Sequence, residues 1–413
     1  MQMSGAAAGG SMFRSLRVRD YRLWAAGAIV SNVGTWMQRT AQDWIVLTRL
    51  TQHDAFAVGV TTALQFGPQL LLLPVTGLVA DRVPRRTLLL WTQAVMGVLA
   101  LALGLLVVTD AVTLPEVYGF AFLLGCAAAF DAPARQSFVS DLVGQEHVSN
   151  AVALNSASFN LARLLGPAVA GVLIEVIGTG WVFLLNAASF AAVLLSLRAI
   201  HPLLEERPSR PRGLREAAAG LHTVVHRHDL LVVFGMVAIM GTFGLNFPIY
   251  ASTMAVLFHQ GATGYGLLSS ALAVGAVAGA LLSARRAQPR PALMAVASAV
   301  FAAGLIGGAL APSYLVLALA LPFVGIASQT FMTTANGIVQ LGVDAAVRGR
   351  VMALYMATVM GGTVVGGPVV GWVANVLGPR EGLTVGALAG VVTAVAGGVQ
   401  QHRAAARLAP VAS

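Results

Sequence analysis

Arg39, Asp43, Asp131, Arg135, Arg163 and Glu175 stand within or at the ends of long apolar runs of this chain. An ionisable group in hydrocarbon is costly unless it is paired or hydrated, so such residues are candidates for proton coupling or for holding a substrate. Arg163 is the deepest, roughly 18 Å along a helix from the start of its run. Its partner is open: Asp131 on the neighbouring run, or an anionic substrate. Arg39 and Asp43 are four residues apart with Gln38 and Gln42 beside them, which fits a coupling pair or a structural ion pair. Glu175, near the far end of its run, fits proton exchange or an interfacial position. Asn32 and Asn246 add polar groups that could meet a substrate, and Asn246 could equally bond helix to helix. Phe243, Phe247 and Tyr250 nearby fit an aromatic cavity wall or packing against lipid.

A second cluster lies between two such runs. Gly77 to Arg86 holds four charges in ten residues, Asp81, Arg82, Arg85 and Arg86. A turn this charged between segments this apolar belongs at a membrane surface. Asp81 and Arg85 can be neighbours if a helical turn persists, while Gly77 and Pro84 allow close approach and bending. The arginines alone would serve to set topology. Carboxylates contribute little to orientation, so Asp81 favours a gate.

Other chemistries find less support. His222 and His226, at i and i+4, lack a third ligand, so no metal site is assigned. The single Cys126 cannot form a disulfide within one chain. No Gly-rich, Lys-Ser/Thr phosphate loop appears, which argues against direct ATP use, and no residue set has the pattern of a catalytic centre. The chain reads as neither an enzyme nor a cofactor protein.

The elements that carry these residues follow from composition. With 57% hydrophobic and 10% charged residues and a mean hydropathy of +0.79, the chain cannot hide its apolar surface in one water-soluble core. It is an all-α polytopic membrane protein whose partner is the lipid bilayer. The net charge of +9 has no basic-aromatic stripe with it, so cationic loops explain it better than nucleic acid. Twelve spans fit a ~30 Å hydrocarbon core at 1.5 Å per residue. They lie near 23–47, 56–80, 88–108, 117–137, 151–177, 181–197, 230–258, 265–283, 292–310, 314–340, 351–377 and 383–399.

Residues 1–22 read as a cytoplasmic leader, 23–200 as a first six-helix bundle, and 201–228 as a proline-rich, basic linker. Residues 229–402 read as a second bundle and 403–413 as a tail. Within the linker, 214–228 could form an amphipathic helix on the membrane surface. Arginines mark alternate loops: 14 to 22, 82 to 86, the linker, 285 to 290, 348 to 350 and 403 to 407, against only Arg49 and Arg380 on the other side. By the positive-inside rule both termini are cytoplasmic.

The two bundles repeat each other. Val152-Ala153-Leu154 recurs as Met352-Ala353-Leu354, an offset of 200 (352 − 152). Gly166-Pro167 with Gly171 recurs as Gly367-Pro368 with Gly371, an offset of 201 at the proline (368 − 167). Arg85-Arg86 maps onto Arg285-Arg286, although no acid lies near the second pair. Six spans followed by six in the same orientation form a parallel duplication of the kind found in rocking transporters. The small residues and prolines of these elements suit close, bent helix contacts.

From Phe13 to about His402 the sequence resembles the major facilitator superfamily, in the branch of the enterobactin exporter, macrolide efflux proteins and transmembrane secretion effectors. The resemblance rests on Ser31-Asn32-Val33-Gly34-Thr35-Trp36-Met37-Gln38, on Gly77 to Arg86, and on Asp131-Ala132-Pro133-Ala134-Arg135-Gln136. It also rests on Leu154-Asn155-Ser156 through Asn160-Leu161-Ala162-Arg163 to Gly166-Pro167. It implies a monomeric secondary transporter of a bacterial cytoplasmic membrane, with an inner gate in which Arg85 lies between Asp81 and Asp131. The expected activity is proton-driven export of a small amphipathic compound, such as a siderophore, a macrolide or another natural product. A nutrient importer or uniporter of the same fold, and a non-transporting sensor or scaffold, are the alternatives.

Overall fold

A computed structural model of the protein describes residues 13–200, 222–286 and 288–408. The leader up to residue 12 and the expected surface helix over 214–221 lie outside the described residues.

Among the described residues, twelve long helices make up the first and second halves of the chain. They are α1 (Arg19–Ile45), α2 (Ala55–Leu71, resumed as Leu73–Arg82), α3 (Arg85–Val108), α4 (Leu114–Asp141), α5 (Val148–Ile177) and α6 (Thr179–Ala199). The second half has α7 (His228–Ile239, a π-turn Met240–Gly244, then Phe247–Leu257), α8 (Ala262–Ala284), α9 (Pro291–Ala309), α10 (Tyr314–Leu341), α11 (Ala345–Val376) and α12 (Pro379–Leu408). Ten of the helices are long and apolar enough to cross a membrane by length and composition. The other two are α1, where polar residues dilute the apolar run, and α2, which is divided at Leu72.

Two spans that read as single helices are broken, each at a proline. Pro74 has no N–H to offer the carbonyl of Leu70, and α2 opens at Leu72 between Pro68 and Pro74. Pro248 likewise leaves the Gly244 carbonyl without its usual donor. There α7 widens into the π-turn, with Leu245 N–H donating to Met240 O at 3.0 Å. Caps fix the ends elsewhere. Thr113 and Glu116 form a capping box on α4, and Asp54 accepts from Phe56 N–H and Ala57 N–H at the start of α2. Gly178 and Gly378 end α5 and α11 with φ of +86° and +124°, a backbone region open to glycine, and they are related by the repeat (378 − 178 = 200).

Within the first half α1 packs on α5 and α6, α3 on α4 and α6, and α2 on α4. Within the second, α8 packs on α10, α9 on α10 and α12, and α11 on the middle of α7. Contact between the halves runs mainly along two helix pairs, α2 with α11 and α5 with α8. These pairs are related by the repeat, so the molecule has an approximate two-fold axis along its length.

Candidate functional site

The interface between the halves is tight at one end and open at the other. A side chain on Gly59 of α2 would meet the backbone of Gly367 on α11, and one on Gly371 would meet Ala55 O. In the other pair, a side chain on Gly266 of α8 would meet Pro167 O of α5, and one on Gly171 would lie 2.5 Å from Ala262 O. The partners keep constant offsets, 207 for Gly266 against Gly59 (266 − 59) and 207 for Ala262 against Ala55 (262 − 55). The recurrent Gly-Pro elements therefore place Pro167, Gly171, Gly367, Pro368 and Gly371 on the inter-half contact. Gly166 differs: it faces Trp36 of α1 in its own half.

Hydrogen bonds close the same end. Asn375 Nδ2 donates to Asp54 Oδ1 at 2.8 Å, and Asn375 Oδ1 accepts from Ala55 N–H at 3.1 Å. The repeat-related position 175 holds Glu175, whose carboxylate accepts from Thr263 N–H at 3.0 Å and from Thr263 Oγ1 at 2.8 Å. Each half thus satisfies the first turn of a helix in the other, which is where helix N–H groups lack partners. Deeper in, Tyr265 Oη of α8 donates to Asp43 Oδ2 of α1 at 3.1 Å, and its ring stacks on Trp44 at 5.9 Å between centroids. Asp43 is 3% exposed, and its Oδ1 has no hydrogen-bond partner among the described residues.

Toward the opposite end the contact lapses. The α5 face that carries Leu164, Pro167, Gly171 and Glu175 continues through Asn160, Ala157 and Ala153, and all three are exposed. On α8 the face of Gly266 and Ser270 continues through Val274 and Leu281, also exposed. A side chain on Gly77 would meet nothing within 4 Å. The cleft between the halves opens at the end that carries the α2–α3 turn.

The interior of the first half is polar. Gln38 Oε1 accepts from Asn186 Nδ2 at 2.5 Å, Gln65 Nε2 donates to Gln42 Oε1 at 3.3 Å, and Gln42 Nε2 donates to Val117 O. These side chains line a small pocket with Thr35 and Arg39. Asp131 accepts from Thr92 Oγ1 at 2.9 Å and Gln93 Nε2 at 2.7 Å, and pairs with Arg135 at 3.0 Å; Arg135 also donates to Asn32 Oδ1 at 3.0 Å. The structure therefore departs from three pairings that the sequence raised. Asp131 is neither the partner of Arg163 nor a neighbour of Arg85, because Arg135, one turn along the same helix, already occupies it. Arg39 and Asp43 do not form an ion pair either, since Asp43 turns to Tyr265 and Arg39 to the rings of Trp36 and Phe66.

At the open end Arg85 Nη1 donates to both carboxylate oxygens of Asp141, at 2.6 and 2.7 Å, on the last residue of α4. Arg86 donates to Leu197 O and Arg198 O, covering carbonyls that end α6 unpaired. Arg82 is exposed, and the side chain of Asp81 lies outside the described residues. In the second half Leu341 stands where the repeat places Asp141 (341 − 141 = 200). Arg285 is exposed and has no ion pair among the described residues, while Arg286 reaches Ser283 Oγ at 3.5 Å. Asn246 is 2% exposed and donates to Thr242 O within its own broken helix. Tyr250 belongs to the core with Phe301.

Residues 10–409, nearly the whole chain, match the family described as transmembrane secretion effector. The chain belongs to that family. Among curated relatives, the chain is 25% identical over 341 residues to the enterobactin exporter EntS of Citrobacter koseri, covering 81% of this chain and 80% of that one. The same figures hold for EntS of Escherichia coli O127:H6. Among solved structures, a bacterial homologue of the human lysosomal transporter Spinster, inward-facing and occupied, superposes with a TM-score of 0.72 at 15% identity, over 93% of this chain and 97% of that one. The nucleoside transporter NupG gives 0.70 at 14%, over 93% and 99%. The fold is that of the major facilitator transporters, and the chain is a multi-pass membrane transporter, not an enzyme.

Several contacting residues carried no sequence signal. Asp141, Thr92, Tyr265, Asp54 and Asn375 are polar residues at ordinary helix ends or single polar positions on apolar helices. The one available cue was the repeat, which sets Asn375 opposite Glu175.

Proposed function

We propose that this protein is a proton-driven exporter of a small amphipathic compound, such as a siderophore, a macrolide or another natural product. It works as a monomer in a bacterial cytoplasmic membrane. Both termini are cytoplasmic, so the open end of the cleft faces the cytoplasm and loads substrate there. Rocking of the halves about the two glycine-lined helix pairs then exposes the cleft to the other side.

The observation that carries the coupling is Asp43. It is a buried carboxylate with one free oxygen, and its other oxygen is held by a hydroxyl from the opposite half. Opening the closed end separates Asp43 from Tyr265 and exposes the carboxyl group to the exterior, where it can take up a proton. Closing returns it to a site where a bare charge is costly. Gly77, Arg82, Arg85 and Arg86 lie where the halves must meet when the cytoplasmic end closes, and they act as the inner gate together with Asp141. Asp131 and Arg135 hold the same half rigid behind them.

The test uses proteoliposomes with an imposed pH gradient and a panel of siderophores, macrolides and lipophilic cations. A substrate should accumulate against its gradient in wild type, and Asp43→Asn should abolish accumulation while leaving substrate-for-substrate exchange. Accumulation unaffected by Asp43→Asn would overturn the coupling assignment.

A further inference from the structure

Two cations deep in the first half form no ion pair among the described residues. The guanidinium carbon of Arg39 on α1 lies 5.1 Å from the Trp36 ring centroid and 4.8 Å from that of Phe66. That of Arg163 on α5 lies 5.9 Å from the Trp36 ring. The two can be no further apart than 5.1 plus 5.9 Å. Neither arginine has a carboxylate oxygen within 4.0 Å, nor a hydrogen bond, among the described residues. Their neighbours behave otherwise: Arg135 is paired with Asp131, and Arg85 with Asp141.

Each guanidinium offers five N–H donors. Aromatic faces attract the cation but accept none of those donors in the plane of the fork. Both arginines and Trp36 are partly exposed rather than sealed, and α5 below Arg163 lines the open cleft. Phe159 stands edge-on to Trp36 at 6.0 Å, so the cations are set in an aromatic frame. Asp43, one turn from Arg39, is engaged by Tyr265.

We infer that Arg39 and Arg163, set about Trp36, form a binding site for an organic anion whose carboxylate or phenolate oxygens are carried on a planar aromatic ring. The acidic oxygens accept from the two guanidinium groups, and the ring packs among Trp36, Phe66 and Phe159. The inference rests on the transport reading above, because it places the substrate in the cleft of the cytoplasm-open state. It narrows the amphipathic class to aromatic acids.

The experiment is equilibrium binding by the full chain in neutral phosphatidylcholine nanodiscs, without any gradient. The probes are 2-naphthoate, its uncharged isostere 2-naphthamide, and hexanoate. Naphthoate should bind at least tenfold more tightly than either of the others. Arg39→Gln and Arg163→Gln should each lose at least tenfold for naphthoate, with Arg39→Lys and Arg163→Lys retaining part of it. Trp36→Leu should weaken naphthoate more than hexanoate. Monodispersity and unchanged melting without ligand identify the variants that have folded. Equal binding of naphthoate and naphthamide, no binding of naphthoate, or unchanged binding in the folded Gln variants would each overturn the site. Gradient-driven transport of other compounds would survive that failure. Conversely, intact naphthoate binding with no gradient-driven transport would sink the exporter reading and leave the site standing.

Discussion

The two halves share a scaffold but not an interior. Asp131 and Arg135 in α4 form a mostly buried, hydrogen-bonded ion pair, while the repeat-related positions in α10 are Phe331 and Ala335, both fully buried in an apolar core. Arg39, Asp43 and Arg163 likewise belong to the first half. The pocket of the second half is lined by Phe247, Met254, Leu268, Leu272 and other apolar side chains. The inter-half contacts, by contrast, match: glycines and carbonyls meet in both helix pairs at the same offset. Duplication has kept the surfaces on which the halves meet, because both copies share one contact. It has let the interiors diverge, because each half packs its own core.

The sharpest way to break this comparison is to exchange the interiors. Asp131→Leu strands Arg135 beneath the surface without a counter-charge, and loss of one partner of a buried pair costs about 3–5 kcal/mol. Phe331→Leu at the related position should cost less than about 1.5 kcal/mol. The double change Asp131→Phe with Arg135→Ala should recover much of the first loss. Chemical unfolding in detergent measures all three, and similar losses for Asp131→Leu and Phe331→Leu would show the halves to be energetically alike.

A smaller effect is expected at the shared contact. Gly59→Leu and Gly266→Leu each overpack one helix pair, by about 1–3 kcal/mol. Each should reduce cross-linking between cysteines placed at 54 and 375 to a similar degree, in a Cys126→Ser background. A loss confined to one of the two variants would break the symmetry of the interface.

The smallest effect concerns the α2–α3 turn. Arg85→Ala removes a partly exposed ion pair of about 1 kcal/mol, and should slow vesicle transport severalfold while the protein remains inserted. Arg285→Ala, with Leu341 in place of the acid, should change the rate less than about twofold, a few tenths of a kcal/mol. Equal slowing would show that the second turn contributes as much as the first.

Much of the fold was legible beforehand, since apolar length gives span number and the 200-residue recurrence gives the two-fold arrangement. The breaks in α2 and α7 were not anticipated, although Pro68, Pro74 and Pro248 mark them. A proline inside an apolar run shows that one hydrogen bond is missing, but whether the helix bends, widens or stops depends on its neighbours. Pro133, Pro167, Pro322 and Pro368 lie within continuous helices. The candidate residues were legible as costly charges, and their partners were not: the resemblance implied Asp131 beside Arg85, and Asp131 was one of two options for Arg163, whereas it holds Arg135.

The sequence alone determined the class of protein, its helical spans and its duplication, because each follows from hydropathy and recurrence along a line. Only the tertiary structure decided which charges are satisfied. Arg85 meets Asp141 across 56 residues, Asp43 meets Tyr265 across 222, and Asp54 meets Asn375 across 321. Such pairs depend on the rotation and tilt of whole helices, which no local pattern sets. The same geometry leaves Arg39 and Arg163 facing aromatic rings, with no hydrogen bond among the described residues.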